Sequence, residues 1–394
     1  MQARHATRRA AALVAFGLFV AVGSAAGAAA QQQPAQQPAT QQQPATQQQS
    51  AASASPNGAR HVPVYAYFYQ WYNASSWNRA KQDFPLEGKY SSDDPHVLRD
   101  QVRQARAAGI EGFLTSWKRT DPLNRRLELL LRVAQDEHFD VGVVYEALDF
   151  TRRPLPIATV EADMVYLVTH WGSALTATYK ARPVIIWTGT DEYSVGDVQR
   201  VRSALSGRAE LLAASKSVSG YERVAGLVDG NAYYWSSADP TAAATSTKLA
   251  AMGAAVHAHH GLWIAPATSG FDGTTLGHTR VIPRDGGMTL TRSLAVAFAS
   301  GPDAVGVISW NEWSENTYIE PGERYGQQEL LTLRSFLQHG GADGALSVSV
   351  QTSGYEWSGV HAAIVLAAVT VLVIVLLNWR MRRRRARPGR HFLR

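Results

Sequence analysis

The chain has 394 residues, of which 38 are basic, 32 acidic and none cysteine, and 45% are apolar or aromatic. Its formal charge of +6 is held at the ends: residues 1–31 carry three arginines and residues 380–394 carry eight, with no acid in either segment, so residues 32–379 hold 27 basic against 32 acidic groups. That distribution excludes a nucleic-acid surface, and the missing cysteines exclude disulfides and thiolate metal sites while leaving the compartment open.

In chain order, Arg4, Arg8 and Arg9 precede the apolar run Ala10 to Val22 and a small-residue end at Ala28-Ala29-Ala30. This is the pattern of a signal peptide over residues 1–30, cleaved near Ala30. An uncleaved anchor is the alternative, although the apolar part is short for a span of about 20 residues. Residues 31–59 are Gln, Pro, Ala, Thr and Ser, with Gln-Gln-Pro-Ala-Thr recurring. Such a stretch buries nothing that could offset its ordering entropy, so it reads as a disordered spacer. Residues 60–344 are long enough for one large core.

Within that core, eight short β-branched runs alternate with helix-patterned stretches. The runs are Val62 to Phe68, Gly109 to Thr115, Val141 to Tyr145, Val184 to Trp187, Glu210 to Ala214, Gly226 to Tyr233, Leu262 to Ala265 and Ala304 to Ser309. Between them, Pro95 to Ala108, Pro122 to His138, Val160 to Tyr179, Val195 to Leu205 and Thr241 to His259 have helical spacing of Leu, Val and Ala. Strand then helix, eight times, predicts an α/β fold of the (β/α)8 TIM barrel type. The connection Ser215 to Ala225 is short for a full helix, which keeps a doubly wound open sheet as the alternative. Beyond a linker at 345–359, residues 360–379 read as a transmembrane helix: Val360 to Leu377 is apolar apart from His361 and Thr370, and Trp357 and Trp379 bracket it. The arginines of residues 380–394 place that tail in the cytoplasm and the large domain outside a single-pass cell-membrane protein.

A barrel of this kind builds its site from the loops after its strands. Those ends are rich in aromatics and carboxylates, and the candidate substrate-binding residues on them are Tyr69, Trp71, Tyr72, Trp117, Tyr145, Glu146, Tyr234, Trp235, Trp310, Asn311, Trp313 and Tyr318. Taken singly, each aromatic reads more readily as core than as site; six such strand ends together point to a site. Sugar rings stack their C–H faces on such side chains, and glycosidic cleavage needs two carboxyl groups. Glu312 and Glu315 supply that pair, three residues apart just past the last strand, in Trp310-Asn311-Glu312-Trp313-Ser314-Glu315-Asn316-Thr317-Tyr318-Ile319-Glu320-Pro321. In an apolar pocket their pKa values should diverge into an acid and a base; the bland reading is a helix cap or an arginine pair. His257, His259 and His260 lie on a helix leading into the seventh strand, the wrong end for catalysis, and no metal or other cofactor is expected. Asp191, Glu192, Asp239 and Asp272 read as caps and turns.

These motifs resemble glycoside hydrolase family 99, the endo-acting α-mannosidases and their relatives attached to surface-polysaccharide loci. The resemblance covers most of residues 62–340. It rests on Tyr67 to Tyr72, Tyr90-Ser91-Ser92-Asp93-Asp94-Pro95, Gly109 to Phe113 with Ser116-Trp117, Tyr145-Glu146, Arg280 with Arg284 and Gly286-Gly287, and above all the Trp-Asn-Glu-Trp-Ser-Glu motif with Ile319-Glu320-Pro321. It implies a metal-free retaining cleavage of α-linked oligosaccharides or polysaccharides by a monomeric barrel. Glu312 would act as base on the sugar's own 2-hydroxyl, giving a 1,2-anhydro sugar, and Glu315 as acid on the leaving oxygen. The resemblance also implies substrate contacts from residues 266–272 and from Tyr145-Glu146, although Glu146 could instead pair with Arg280 or Arg284. Family mannosidases commonly have His-Glu-Gly-Thr where this chain has Ser314-Glu315-Asn316-Thr317, so the sugar itself is left open. A glycan-binding or polysaccharide-assembly protein without hydrolysis is the second reading, and a role beside a glycosyltransferase the third.

Overall fold

A computed structural model describes residues 61–149 and 151–339. Eight strands form its centre: β1 (Val64–Tyr69), β2 (Gly112–Trp117), β3 (Asp140–Tyr145), β4 (Arg182–Trp187), β5 (Glu210–Ala213), β6 (Gly230–Ala232), β7 (Leu262–Thr268) and β8 (Ala304–Ile308). Each runs parallel to the next. The circuit closes where β8 pairs with β1 in the register Val64↔Val305 and Tyr65↔Gly306. This is a closed barrel, so the open doubly wound sheet is excluded.

Helices α1 (Pro95–Ala107), α2 (Asp121–Asp136), α3 (Ile157–Trp171), α4 (Val195–Leu205), α5 (Val218–Glu222), α6 (Ala243–Ala258), α7 (Met288–Ala299) and α8 (Gln328–Gln338) follow the strands one by one. Local chemistry starts several of them. Pro95 occupies the first turn of α1, where its missing N–H costs nothing, and the Asp94 carboxylate accepts from His96 N. Ser194 and Asp197 form a reciprocal capping box on α4.

Period-two alternation sorts every strand into two faces. Phe68, Phe113, Trp117, Val143, Tyr145, Trp187, Leu211, Tyr233, Trp263 and Val307 pack with helix residues such as Leu98, Leu127, Val160, Val198, Leu249 and Leu290, which makes theirs the outer face. Tyr65, Tyr67, Leu114, Val144, Ile186, Leu212, Ala232, Ile264 and Ile308 fill the inside. Two glycines make this filling possible. A Cβ at Gly306 would stand 2.7 Å from the Tyr67 ring, and one at Gly230 would stand 2.1 Å from Leu262 O.

The strand boundaries differ from the expected ones for local reasons. The sixth run, expected from Gly226, forms a strand only over Gly230–Ala232, because residues 224–229 are spent in turns. The second strand starts at Gly112, and the seventh extends to Thr268. Helix α3 stops at Trp171 before Gly172; Thr178–Tyr179, expected as its end, instead pairs antiparallel with the start of β4. The short 215–225 connection holds the single-turn α5, which is enough to return the chain. The expected signal peptide, spacer, linker, transmembrane helix and arginine-rich tail lie outside the described residues. Among the described residues, no helix is long and apolar enough to cross a membrane.

Candidate active site

The loop after β8 is held in place from both sides. At its neck, Ser309 N donates to Thr317 O (3.0 Å), and the Ser309 hydroxyl accepts from Glu312 N (2.8 Å). Asn311 reaches across to β1: its Oδ1 accepts from Tyr69 N (2.8 Å) and its Nδ2 donates to Tyr69 O (2.9 Å). Arg284, arriving from the β7–α7 connection, donates to Asn316 O (3.0 Å) and Tyr318 O (2.7 Å) while its guanidinium lies 4.4 Å from the Tyr318 ring centre. Asn316 takes a left-handed conformation, φ 56°, which asparagine tolerates better than most residues.

Beneath the loop lies a buried aromatic layer of Tyr69, Tyr72, Trp77, Tyr90, Trp313 and Tyr318. Trp313 stacks on Tyr318 at 3.8 Å between ring centres. Glu320 is the polar hub of this layer, accepting from Gln101 Nε2 (2.5 Å), Tyr90 OH (2.8 Å) and Trp313 Nε1 (3.1 Å). Burial pushes its carboxyl up to about 8, and the three donors oppose that rise.

This scaffold aims Glu312 and Glu315 at the C-terminal mouth of the barrel. Both are buried, with 7% and 1% exposure. Glu312 Oε1 accepts from Ser314 N (3.0 Å). Burial lifts Glu312 to about 7; the Ser314 donor and the Lys81 charge pull it down, and Glu146 pushes it further up. Both oxygens of Glu315 lack a hydrogen bond of normal geometry. Burial, then the charge of Glu312, lifts Glu315 to about 8, with only partial relief from the nearby Ser236 hydroxyl and from Arg152. The two groups titrate as a pair, and Glu315 is the one that keeps its proton longer.

A third carboxyl, Glu146, follows β3 on the inward face. It accepts from the Ser116 hydroxyl (2.8 Å) and the Thr188 hydroxyl (3.4 Å), and burial raises its pKa. It forms no pair with Arg280 or Arg284: Arg280 donates to Ser237 O, and Arg284 faces Glu329. Tyr69 and Tyr234 meet hydroxyl to hydroxyl at 2.8 Å, and the charges of Glu312 and Glu315 bear on both. Trp71, 40% exposed, lies on Tyr69 with ring centres 4.4 Å apart.

Glu312, Glu315, Glu146, Tyr69, Tyr234 and Trp71 are therefore brought together. The other candidates lie elsewhere. Trp117 and Tyr145 point outward into the helix layer, where Trp117 Nε1 donates to Asn124 (3.1 Å) and Tyr145 OH donates to Asp163 (3.0 Å). Trp235 stacks on Tyr233 outside the barrel, and Trp310 packs against Phe113. Tyr72, Asn311, Trp313 and Tyr318 support the loop from below, and the 266–272 segment does so from the side through Ser269 Oγ to Thr317 O and Asp272 N to Glu315 O (both 2.9 Å). Ser116 and Thr188, which clamp Glu146, and Lys81 were missed as site residues; alternation from Leu114 and Ile186 would have placed the first two on the inner face. His257 pairs with Asp303 and His259 with Glu222, at the opposite end of the barrel.

Residues 73–333 match the family model of glycosyl hydrolase family 99. Among solved structures, the family 99 endo-alpha-mannosidase from Bacteroides thetaiotaomicron is 18% identical, with a TM-score of 0.60 over 70% of this chain and 96% of that one. Its complex with bis-tris-propane gives 19% and 0.61 over 73% and 99%. A glycoside hydrolase-like protein gives 14% and 0.56 over 72% and 97%. At these identities the likeness is one of fold. No match is found among curated protein sequences.

Proposed function

The chain belongs to glycosyl hydrolase family 99, and on that premise we propose that it is a retaining glycosidase acting on α-linked, mannan-like glycans through Glu312 and Glu315. The observation that carries this reading is the asymmetry of the pair. Glu312 accepts a backbone hydrogen bond and feels the Lys81 charge, which favour its ionised form, whereas Glu315 is more deeply enclosed, with neither oxygen in a hydrogen bond of normal geometry and the Glu312 charge only partly offset by Ser236 and Arg152. Glu315, protonated, gives its proton to the glycosidic oxygen as the C1–O bond breaks. Glu312 takes the proton of the sugar's 2-hydroxyl as O2 attacks C1, and a 1,2-anhydro sugar forms. Water then opens that ring at C1, losing a proton to Glu315, while Glu312 returns its proton to O2. Two inversions at C1 give net retention.

The relative from Bacteroides thetaiotaomicron supports an endo-acting α-mannosidase. Ser314 and Asn316 in place of the expected His and Gly leave the sugar to be tested. The export signal and the apolar segment at 360–379 support a membrane-tethered protein with its barrel outside the cell, which protease added to intact cells should degrade. The second reading, a glycan binder without hydrolysis, draws on the enclosure of Glu315 at 1% exposure. Incubating the protein with α-mannan, α-glucan and the host's surface glycan separates the two. New reducing ends with retained anomeric configuration are expected; binding without them would favour the second reading.

A further inference from the structure

The carboxyl groups of the site draw their opposite charges from the loops after β1, β2 and β3: Lys81 bears on Glu312, Arg152 on Glu315 and Glu146, and Lys118 on Glu146. Residues 32–379 are net acidic, so three cations at one mouth are a local choice. Lys81 is distinctive among them. Its Nζ donates to Ser76 O (2.8 Å) and stands 5.6 Å from the Trp77 ring centre, and among the described residues it forms no ion pair within 4.0 Å. An ammonium carries three donors. A half-buried one with a single carbonyl partner and no carboxylate has lost much of its water without replacement.

Lys81 shares its loop with the exposed Trp71, and both are tied to one serine: Ser76 O accepts from Lys81, and the Ser76 hydroxyl lies 3.5 Å from Trp71 O. One loop thus carries an exposed indole, lying on Tyr69, and an ammonium with spare donors whose charge bears on Glu312. The indole suits the C–H face of a sugar ring; the ammonium suits a negative substituent on it, and it screens that substituent from the Glu312 charge.

We infer that Lys81 is a substrate-binding residue and that the glycan bound here is acidic, carrying a carboxylate or phosphate on the sugar that lies against Trp71. The inference rests on the glycosidase reading and is tested apart from it. In the full-length Glu315→Gln protein, affinity is measured by calorimetry for an α-linked oligouronide against its carboxyl-reduced counterpart, and for a 6-phosphorylated α-oligomannoside against its dephosphorylated form. One acidic member should bind about 10-fold more tightly than its neutral match, the scale of a charge-assisted hydrogen bond. Whether the uronate or the phosphate shows this identifies the substituent. Adding Lys81→Met should abolish the preference, and adding Lys81→Arg should keep it. Equal affinities within both pairs, or a preference that survives Lys81→Met, would overturn the inference. Selective binding by a wild-type protein that hydrolyses nothing would overturn the glycosidase reading alone.

Discussion

Glu210 and Glu315 are both buried carboxyls of the same barrel, one at each end, and their surroundings are opposite. Glu210, with 0% exposure, opens β5 at the N-terminal mouth and is bridged by the Arg182 guanidinium. Its neighbours follow the same pattern, with Arg202 on Asp229 and His257 on Asp303. A cavity of about 190 Å³ also opens at this end, lined by Tyr65, Leu114, Val184, Leu262 and Ile264 together with His61 and Asp303, the carboxylate already held by His257. At the C-terminal mouth, among the described residues, neither Glu315 nor Glu312 is bridged by a guanidinium as Glu210 is; Ser314 donates to Glu312 and Lys81 bears on it, while Ser236 and Arg152 partly offset the burial of Glu315. Burial and the Asp229 charge raise Glu210 too, but the Arg182 guanidinium in contact opposes that rise, and such pairing serves structure. Leaving a buried acid without such a bridge keeps its proton mobile, which is what proton transfer requires.

The sharpest way to break this contrast is to neutralise each acid in turn. Glu312→Gln and Glu315→Gln should each lower kcat/KM on an α-linked oligosaccharide by about 10²–10⁴-fold, with circular dichroism unchanged. Full activity in either variant would remove the pair from catalysis. At the other end, Arg182→Met strands Glu210 without its cation and should cost about 3 kcal/mol in denaturant unfolding, while kcat stays within a factor of two of wild type by the ~0.4 kcal/mol scale of distant, uncoupled changes.

The pH dependence sharpens the contrast further. Activity should be greatest between about 7 and about 8, falling on the acid side as Glu312 takes up a proton and on the alkaline side as Glu315 loses one. Stability should follow the same groups with a definite sign. Both acids are raised above their unfolded range near 4.5, so their protonated forms stabilise the fold fully below that value, and that contribution is lost as pH rises through about 7 and about 8. A Tm measured from pH 5 to 9 should therefore fall less in Glu315→Gln than in wild type; parallel curves would show that Glu315 does not titrate in the fold. The smallest effects separate exposed from buried aromatics. Trp71→Ala should raise KM about 10-fold, the scale of lost stacking, whereas Tyr145→Phe, which removes only the bond to Asp163, should lower stability by about 1 kcal/mol and leave KM in place.

Much of this arrangement is legible in the amino-acid sequence. The eight apolar runs were readable because each barrel strand is buried on both faces, and the Glu-Trp-Ser-Glu loop stood out because carboxylates directly after a core strand are costly without a use. What the residue types hid was facing. Tyr145 and Glu146 are neighbours at one strand end, yet one lies in the helix layer and the other in the mouth; Ser116 and Trp117 divide the same way. Aromatics drew attention, and alternation gave the inward positions to smaller polar residues instead. Lys81 was hidden for a different reason: it sits in a loop whose path is set by contacts to Ser76 and Trp77 rather than by any periodic pattern.

The closure of β8 onto β1 sets an order of events for a newly made chain. Asn311 and Tyr69 are joined across 242 residues, so the loop that carries Glu312 and Glu315 cannot take its place until the last strand has been synthesised. Until residues 304–308 arrive, β1 and β7 present two unpaired parallel edges, the kind of surface on which nascent chains associate wrongly. A chain cut before Ala304 would therefore be both inactive and prone to aggregate, and one cut just after Pro321 would already contain every carboxyl of the site.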